Sequence, residues 1–267
     1  MKTDARVVTR KTPEDFAKMA VAGACVAAIH AATREAAQPG TSLLELDAIS
    51  AEILRERDCR SSFLGYHGFP ATICASPNEV IVHGIPSDYR LREGDIISID
   101  AGAIYEGWHG DAAYTVAVGD VPPDVTKLLE VTERALWNGI AQSRHGKRLG
   151  DVGHAVEATA RPHGYGVVRD YIGHGIGRQM HEAPNVPNYG TPGKGFKLKT
   201  GMAIAIEPMF NMGTQDSSVL EDGWTVITQD GRLSAHFEHT VAITPEGPKV
   251  LTLPEPKLVD KLDQVDV

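Results

Sequence analysis

Cysteine is scarce in this chain: Cys25, Cys59 and Cys74 are an odd three, with no C-x-x-C spacing among them. That excludes a disulfide framework and a thiolate zinc motif, and it suits a reducing cytoplasm. Basic residues are in short supply too. With 26 Lys and Arg against 35 Asp and Glu, the net charge is −9. No basic stripe exists to hold phosphates, so nucleic acid is not expected as a substrate. Long apolar runs are also missing. The longest, Val21 to Ile29, is mostly Ala and Gly and too short to span a bilayer. It follows Asp4, Glu14 and Asp15 rather than a basic leader, so neither a membrane segment nor a signal peptide is expected. What remains is a chain of 267 residues, 42% of them hydrophobic, which can bury a sizeable core.

Helix-start grammar appears twice near the beginning. Thr12-Pro13 with Asp15 opens a segment in which Phe16, Met19, Ala20, Gly23, Val26 and Ala27 keep helical spacing, ending by Pro39-Gly40. Ser42 and Glu45 have capping-box spacing before Leu46, Ile49 and Ile53. A second helix pair is predicted from Asp124 to about Ala160, broken near Gly146 and Gly150. Each pair precedes a strand-rich segment, and the two segments share three patterns in one order. His83-Gly84-Ile85 returns as His174-Gly175-Ile176. Gly94, Ile97, Ile99, Asp100 return as Gly201, Ile204, Ile206, Glu207. His109, Asp111 and Thr115-Val116-Ala117 return, with a two-residue shift, as His236, Glu238 and Thr240-Val241-Ala242. Chance similarity of buried strands is the competing explanation. The period approaches half the chain, too long for a solenoid, so two related halves around one site are expected.

The acids give the duplication its chemistry. Ile-Ile-Ser-Ile-Asp reads as a buried strand, and an acid ending it needs a positive partner. For one buried acid, Arg or Lys is the commoner partner. Four acids at equivalent places in two halves would converge across a pseudo-two-fold axis, where they cannot all ionise without cations. Two divalent ions, bridged by carboxylates at a spacing of ~3.5 to 4 Å, answer that need. Oxygen-rich donors with one imidazole favour Mn, Co or Fe(II) types over thiolate-bound Zn. Among eleven histidines, His174 is the favoured ligand because it stands between glycines; a plain turn histidine is the alternative. His109, His236 and His239 flank the acids as neighbours or structural residues.

These residues resemble the pita-bread metallopeptidases, and within them the type I methionine aminopeptidases. The resemblance rests on Asn78-Glu79 with His83-Gly84-Ile85-Pro86, Ser98-Ile99-Asp100-x-Gly102, His109-Gly110-Asp111, Gly173-His174-Gly175-Ile176-Gly177, Ile206-Glu207-Pro208-Met209 and Glu238-His239-Thr240. It covers nearly the whole chain. It implies an α+β fold of two pseudo-symmetric halves, an antiparallel sheet covered by helices on one side. It implies that Asp111 and Glu238 bridge two divalent ions of the Co, Mn, Fe(II), Ni or Zn type, that Asp100 binds one, and that His174 and Glu207 bind the other. Catalysis would be hydrolysis by a metal-activated water, with Glu207 as proton shuttle. His181 matches a histidine near the scissile amide, and His83 one that binds substrate and stabilises the transition state. Tyr66, Phe69, Cys74, Met180 and Trp224 match the methionine pocket, with His67 at its edge. Phe63 departs from the smaller residue or Cys often found at its position, and its bulk is expected to narrow the pocket.

The implied activity is removal of the initiator methionine from nascent proteins with a small second residue. Glu207 and Glu238 are 31 positions apart, leaving no room for the insertion of type II enzymes, and the stretch before Thr12 lacks a zinc-finger extension. The expected organisation is a short N-terminal extension (1–12), one catalytic domain (13–253, with halves at about 13–120 and 121–253) and a tail (254–267). A monomer acting on nascent N-termini, without membrane, is expected. Lys2, Arg6, Arg10 and Lys11 form too short a basic start to assign a ribosome contact. Two alternatives stand. One is a proline-specific aminopeptidase or dipeptidase of the same fold, disfavoured because only about 80 residues precede His83. The other is a non-catalytic binding protein that has lost its metals, disfavoured by five intact ligands.

Overall fold

The computed structural model describes residues 8–259. The first half runs α1 (Pro13–Ala36), α2 (Leu43–Glu56), β1 (Arg60–Ser61), β2 (Cys74–Pro77), β3 (Val80–Val82), β4 (Ile96–Tyr105) and β5 (Trp108–Ala117). The second half opens with α3 (Pro123–Gln142) and α4 (Leu149–Ala160). Its strands are β6 (Gly166–Val167), β7 (Gly173–Gly175), β8 (Glu182–Val186), β9 (Ala203–Ile206), β10 (Met209–Asn211), β11 (Ser217–Val219), β12 (Val226–Thr228), β13 (Ser234–His236), β14 (Glu238–Ile243), β15 (Pro248–Val250) and β16 (Lys257–Leu258).

Both predicted capping boxes form. Thr12 N–H donates to Asp15 Oδ2 (2.9 Å) while Asp15 N–H donates to Thr12 Oγ1 (3.3 Å). Ser42 N–H donates to Glu45 Oε2 (2.6 Å) and Glu45 N–H to Ser42 Oγ (3.2 Å). Each box satisfies helix donors that would otherwise lack partners. The buried face of α2 is Leu43, Leu46, Ser50 and Leu54, with Ile49 and Ile53 at its margin. The break in the second helix pair falls at Gly146, which takes φ +90°, but not at Gly150. Gly150 sits in the first turn of α4, where a Cβ would stand 2.2 Å from the Thr191 carbonyl oxygen. It is small for packing, a reason that local propensity does not carry.

The helix α1 is long and apolar enough to cross a membrane by length and composition, although no single run in it is. Its apolar residues instead pack on the sheet: Ala22, Cys25, Val26 and Ile29 share a core with Ala112 and Tyr114 of β5, and the Thr33 hydroxyl lies 3.0 Å from the Tyr114 hydroxyl.

The main sheet has the order β1-β4-β5-β14-β9-β7-β8, with β2 also on β4, and its pairs are antiparallel. The central order β4-β5-β14-β9 is palindromic in the two halves, so the pseudo-two-fold axis runs between β5 and β14. Each half's Thr-Val-Ala threonine reaches across that seam. Thr115 Oγ1 donates to the His236 carbonyl (2.8 Å) and accepts from His236 N–H (2.9 Å). Thr240 Oγ1 donates to the Asp111 carbonyl (2.8 Å) and accepts from Asp111 N–H (3.0 Å). Beyond Leu253, the segment expected as a tail contributes β16, which pairs with β15; Arg144 also donates to the Val259 carbonyl (2.6 Å). Residues 1–7 of the expected extension, including Lys2 and Arg6, and 260–267 of the expected tail lie outside the described residues.

Candidate metal centre

Strand alternation sends Ala112 and Tyr114 towards the helices, and Asp111 and Ala113 to the opposite face. Register then assembles the acids. Cys74 pairs with Asp100, Asp100 with Ala113, and Ala113 with Glu238, one continuous cross-strand row. Asp111 is two residues from Ala113 on the same face. Glu207 directly follows Ile206, whose partner is His239, the residue after Glu238. His174 is the middle residue of β7. Its neighbour Gly175 lies so close to β8 that a Cβ there would be 2.2 Å from the Ala183 carbonyl oxygen.

The result is a cavity of about 130 Å³ lined by Asp100, Asp111, His174, Glu207 and Glu238, together with His83, His181, Phe63, Tyr66, Phe69, Cys74, Met180 and Trp224. His67 is not part of that lining; its ring packs edge-on against Tyr66, centroids 4.4 Å apart. His174 Nε2 is 3.8 Å from Asp111 Oδ2 and 3.8 Å from Glu207 Oε1. His174 Nδ1 lies 2.9 Å from the Gly175 carbonyl and donates to it, so Nε2 carries the lone pair that faces the acids. Donor atoms of Asp111, His174 and Glu238 lie within 4.8 Å of one another, as do those of Glu207, His236 and Glu238.

Electrostatics test whether metal fits these residues. Burial raises every one of the four acids: Asp111 to about 7, Glu207 to about 8 with the Asp111 charge adding, and Asp100 and Glu238 well above the usual carboxylate range. Burial also holds His174 down to about 3, helped by His181. Among the described residues no Lys or Arg forms an ion pair with any of the four acids, so the commoner answer for a buried carboxylate does not apply. Asp100 Oδ1, Asp111 Oδ1 and Glu238 Oε1 are buried without hydrogen-bond partners. Such oxygens are costly to bury unpaired, and a set of them facing a neutral imidazole nitrogen is what divalent cations require. The residues fit the group.

His236 enters this set unexpectedly. Its buried Nε2 has no hydrogen-bond partner and lies 3.7 Å from Glu207 Oε2. The duplication aligned it with His109, and that alignment held the signal; His109 itself pairs with the Ser62 hydroxyl (2.9 Å). His239 points to the helix side, its ring against Trp137 (5.4 Å) and its Nδ1 at 2.9 Å from Thr252 Oγ1. His181 Nδ1 is 2.8 Å from the Tyr66 hydroxyl. His83 adopts φ +59°, strained for a residue with a Cβ, and packs edge-on to Tyr171 (5.7 Å) and Trp224 (6.2 Å).

Residues 17–245 match metallopeptidase family M24. The chain is 51% identical over 255 residues to methionine aminopeptidase 1 of Mycobacterium tuberculosis, covering 93% of this chain and 96% of that one. It is 47% identical over 242 residues to methionine aminopeptidase 1 of Bacillus subtilis, covering 91% and 98%. The solved structure of a Thermotoga maritima methionine aminopeptidase superposes with a TM-score of 0.91 at 43% identity, covering 92% of this chain and all of that one. Prolidase from Pyrococcus furiosus shares the fold at a TM-score of 0.74 and 24% identity, with 66% of its length covered.

Proposed function

The chain belongs to metallopeptidase family M24, and from that membership we propose that it is an aminopeptidase releasing the initiator methionine from new proteins whose second residue is small. One observation carries the reading: a single cavity joins the acid cluster to an apolar slot of Phe63, Phe69, Cys74, Met180 and Trp224. A thioether packs well against ring edges, and the T-shaped pairs Phe63–Phe69 (6.5 Å) and Phe69–Trp224 (5.1 Å) offer them.

Asp100, Asp111, His174, Glu207 and Glu238 would hold two divalent ions of the Co, Mn, Fe(II), Ni or Zn type. When bound, such a pair acidifies a water and polarises a carbonyl. The chain's own residues do the rest. Glu207 takes the proton of the attacking water and delivers it to the leaving amine. His181, its Nδ1 engaged by the Tyr66 hydroxyl, keeps Nε2 for the scissile amide. His83, its ring held between Tyr171 and Trp224, supplies a second nitrogen to the substrate. The slot takes the methionine side chain, with Phe63 as one wall.

The work belongs to the cytoplasm, where nascent N-termini emerge and where Cys25, Cys59 and Cys74 stay free. The test is release of Met from Met-Ala-Ser by protein purified with Mn or Co, set beside cleavage of an X-Pro peptide. Met release supports the reading. Preference for the X-Pro peptide overturns it, as does a protein that retains no metal and cleaves neither.

A further inference from the structure

Lys11 belongs to the short basic start that the activity leaves unexplained, yet it is not a surface residue. Its side chain is 2% exposed and its ammonium lies 2.9 Å from Glu182 Oε2, on a side chain 8% exposed. Lys11 Nζ also donates to Thr9 Oγ1. Two hydrogen bonds to the main chain fasten the arm: Lys11 N–H donates to the Gly201 carbonyl (2.6 Å), and the Arg10 side chain, through Nε, to the Thr200 carbonyl (2.8 Å).

Glu182 is the first residue of β8 and directly follows His181. Its other carboxylate oxygen, Oε1, accepts from Gln179 N–H (3.2 Å), inside the turn that joins β7 to β8. The same turn carries Met180 and His181, both lining the cavity, while Lys11 and Glu182 do not line it. Gly177 leaves the space the pair needs, since a Cβ there would meet Lys11 Cε at 2.5 Å and Glu182 Oε1 at 2.7 Å. On its other side the turn is tied to β5, where His109 N–H donates to the Gly177 carbonyl (2.9 Å). A charged pair this well buried is a rigid strut: losing one member leaves the other charge unpaired in a poorly solvated place.

We propose that Lys11 is a positioning residue, which through Glu182 fixes the turn from Gly177 to Glu182 and so sets His181 and Met180 against the substrate. The proposal rests on the peptidase reading above, in which those two residues meet the substrate.

Lys11→Met and Glu182→Gln, singly and together, test it, with wild-type protein as reference. Hydrogen exchange of the amides in 177–182 should rise about tenfold in Lys11→Met, while the helix amides stay protected. On Met-Ala-Ser, kcat should fall about tenfold as His181 shifts, and KM should rise about threefold as Met180 shifts in the slot. The double variant should be no worse than the weaker single one, because both remove the same strut. Lys11→Arg should recover part of the lost kcat. Unchanged exchange in 177–182, additive losses, or a lowered melting temperature at wild-type kcat would overturn the proposal. Wild-type protein inert toward Met-Ala-Ser would sink the peptidase reading instead, and the exchange data would still judge the strut.

Discussion

Asp100 and Glu238 lie in one cross-strand row with a single residue, Ala113, between them. Adjacent Cβ atoms in such a row are about 5 Å apart, so the two carboxylates reach toward each other over one methyl group. Ala113→Val should therefore wedge the acids apart. Overpacking of this kind costs about 1–3 kcal/mol, which a folded domain survives. Metal content after dialysis against Mn should drop at least several-fold while circular dichroism is unchanged; full metal retention would show that the row does not set the separation.

Phe63 is 4% exposed and stands against Phe69 as a wall of the slot. Phe63→Leu should widen it. Discrimination between Met and larger first residues should then shrink by about tenfold in kcat/KM, the scale on which hydrophobic pockets distinguish side chains. Competition between Met-Ala-Ser and Phe-Ala-Ser measures the ratio.

His83 and His181 lie outside the five proposed metal donors. Alanine at either position should lower kcat/KM by about 10²-fold or more while metal content stays at the wild-type level. Emission spectroscopy on the same preparations used for kinetics decides it. Loss of metal from His83→Ala would move that residue among the ligands.

Between α1 and the sheet, His30 carries a buried Nε2 with no partner, its ring edge-on to Tyr114 at 4.7 Å. Burial, with His239 and Arg34 nearby, holds it down to about 3 from 6.5. In that window the unfolded chain binds a proton that the folded chain refuses. The stability His30 contributes is thus present above pH 6.5 and lost as pH falls towards 3, at no more than about 1.4 kcal/mol per unit. Urea unfolding of wild type and His30→Leu at pH 7, 5.5 and 4.5 should show a shallower acid slope in the variant.

Ions that bind the folded chain alone stabilise it. At a free concentration about 100 times Kd the gain is about 2.7 kcal/mol, or roughly 5–10 °C in melting temperature for a domain of this size. Calorimetry of chelated protein with and without Mn checks this, and Glu238→Gln should remove most of the shift.

Much of this was legible from local chemistry. Thr12 with Asp15 and Ser42 with Glu45 are short-range devices whose partners are three residues apart, and both boxes formed; Arg90, though distant in sequence, adds to the second at Glu45 Oε2 without displacing it. The repeated acids were legible because the two halves carry the same strand pattern, which β4-β5 and β14-β9 display as mirrored pairs. Long-range facts were not. Gly150 looked like a breaker because its constraint, the Thr191 carbonyl, is remote in sequence. Lys11 read only as part of a short basic start because Glu182, its partner, is 171 positions away. His236 was legible only as the counterpart of His109 in the repeat; its closeness to Glu207 is a distance that no spacing states. The run beyond Leu253 read as a tail because its pairing partner, β15, is itself only three residues long.

The two threonines that stitch β5 to the second half, Thr115 to β13 and Thr240 from β14, have a consequence for synthesis. Asp100 and Asp111 leave the ribosome long before Glu207 and Glu238, so a half-made chain owns two acids and no complete site. The second half carries both the remaining acids and Thr240, whose hydroxyl clasps the Asp111 backbone. With the proposed donors divided between the halves in this way, metal uptake would report completed assembly, and two separately produced halves, mixed with Mn, would regain ion binding only by rebuilding that seam.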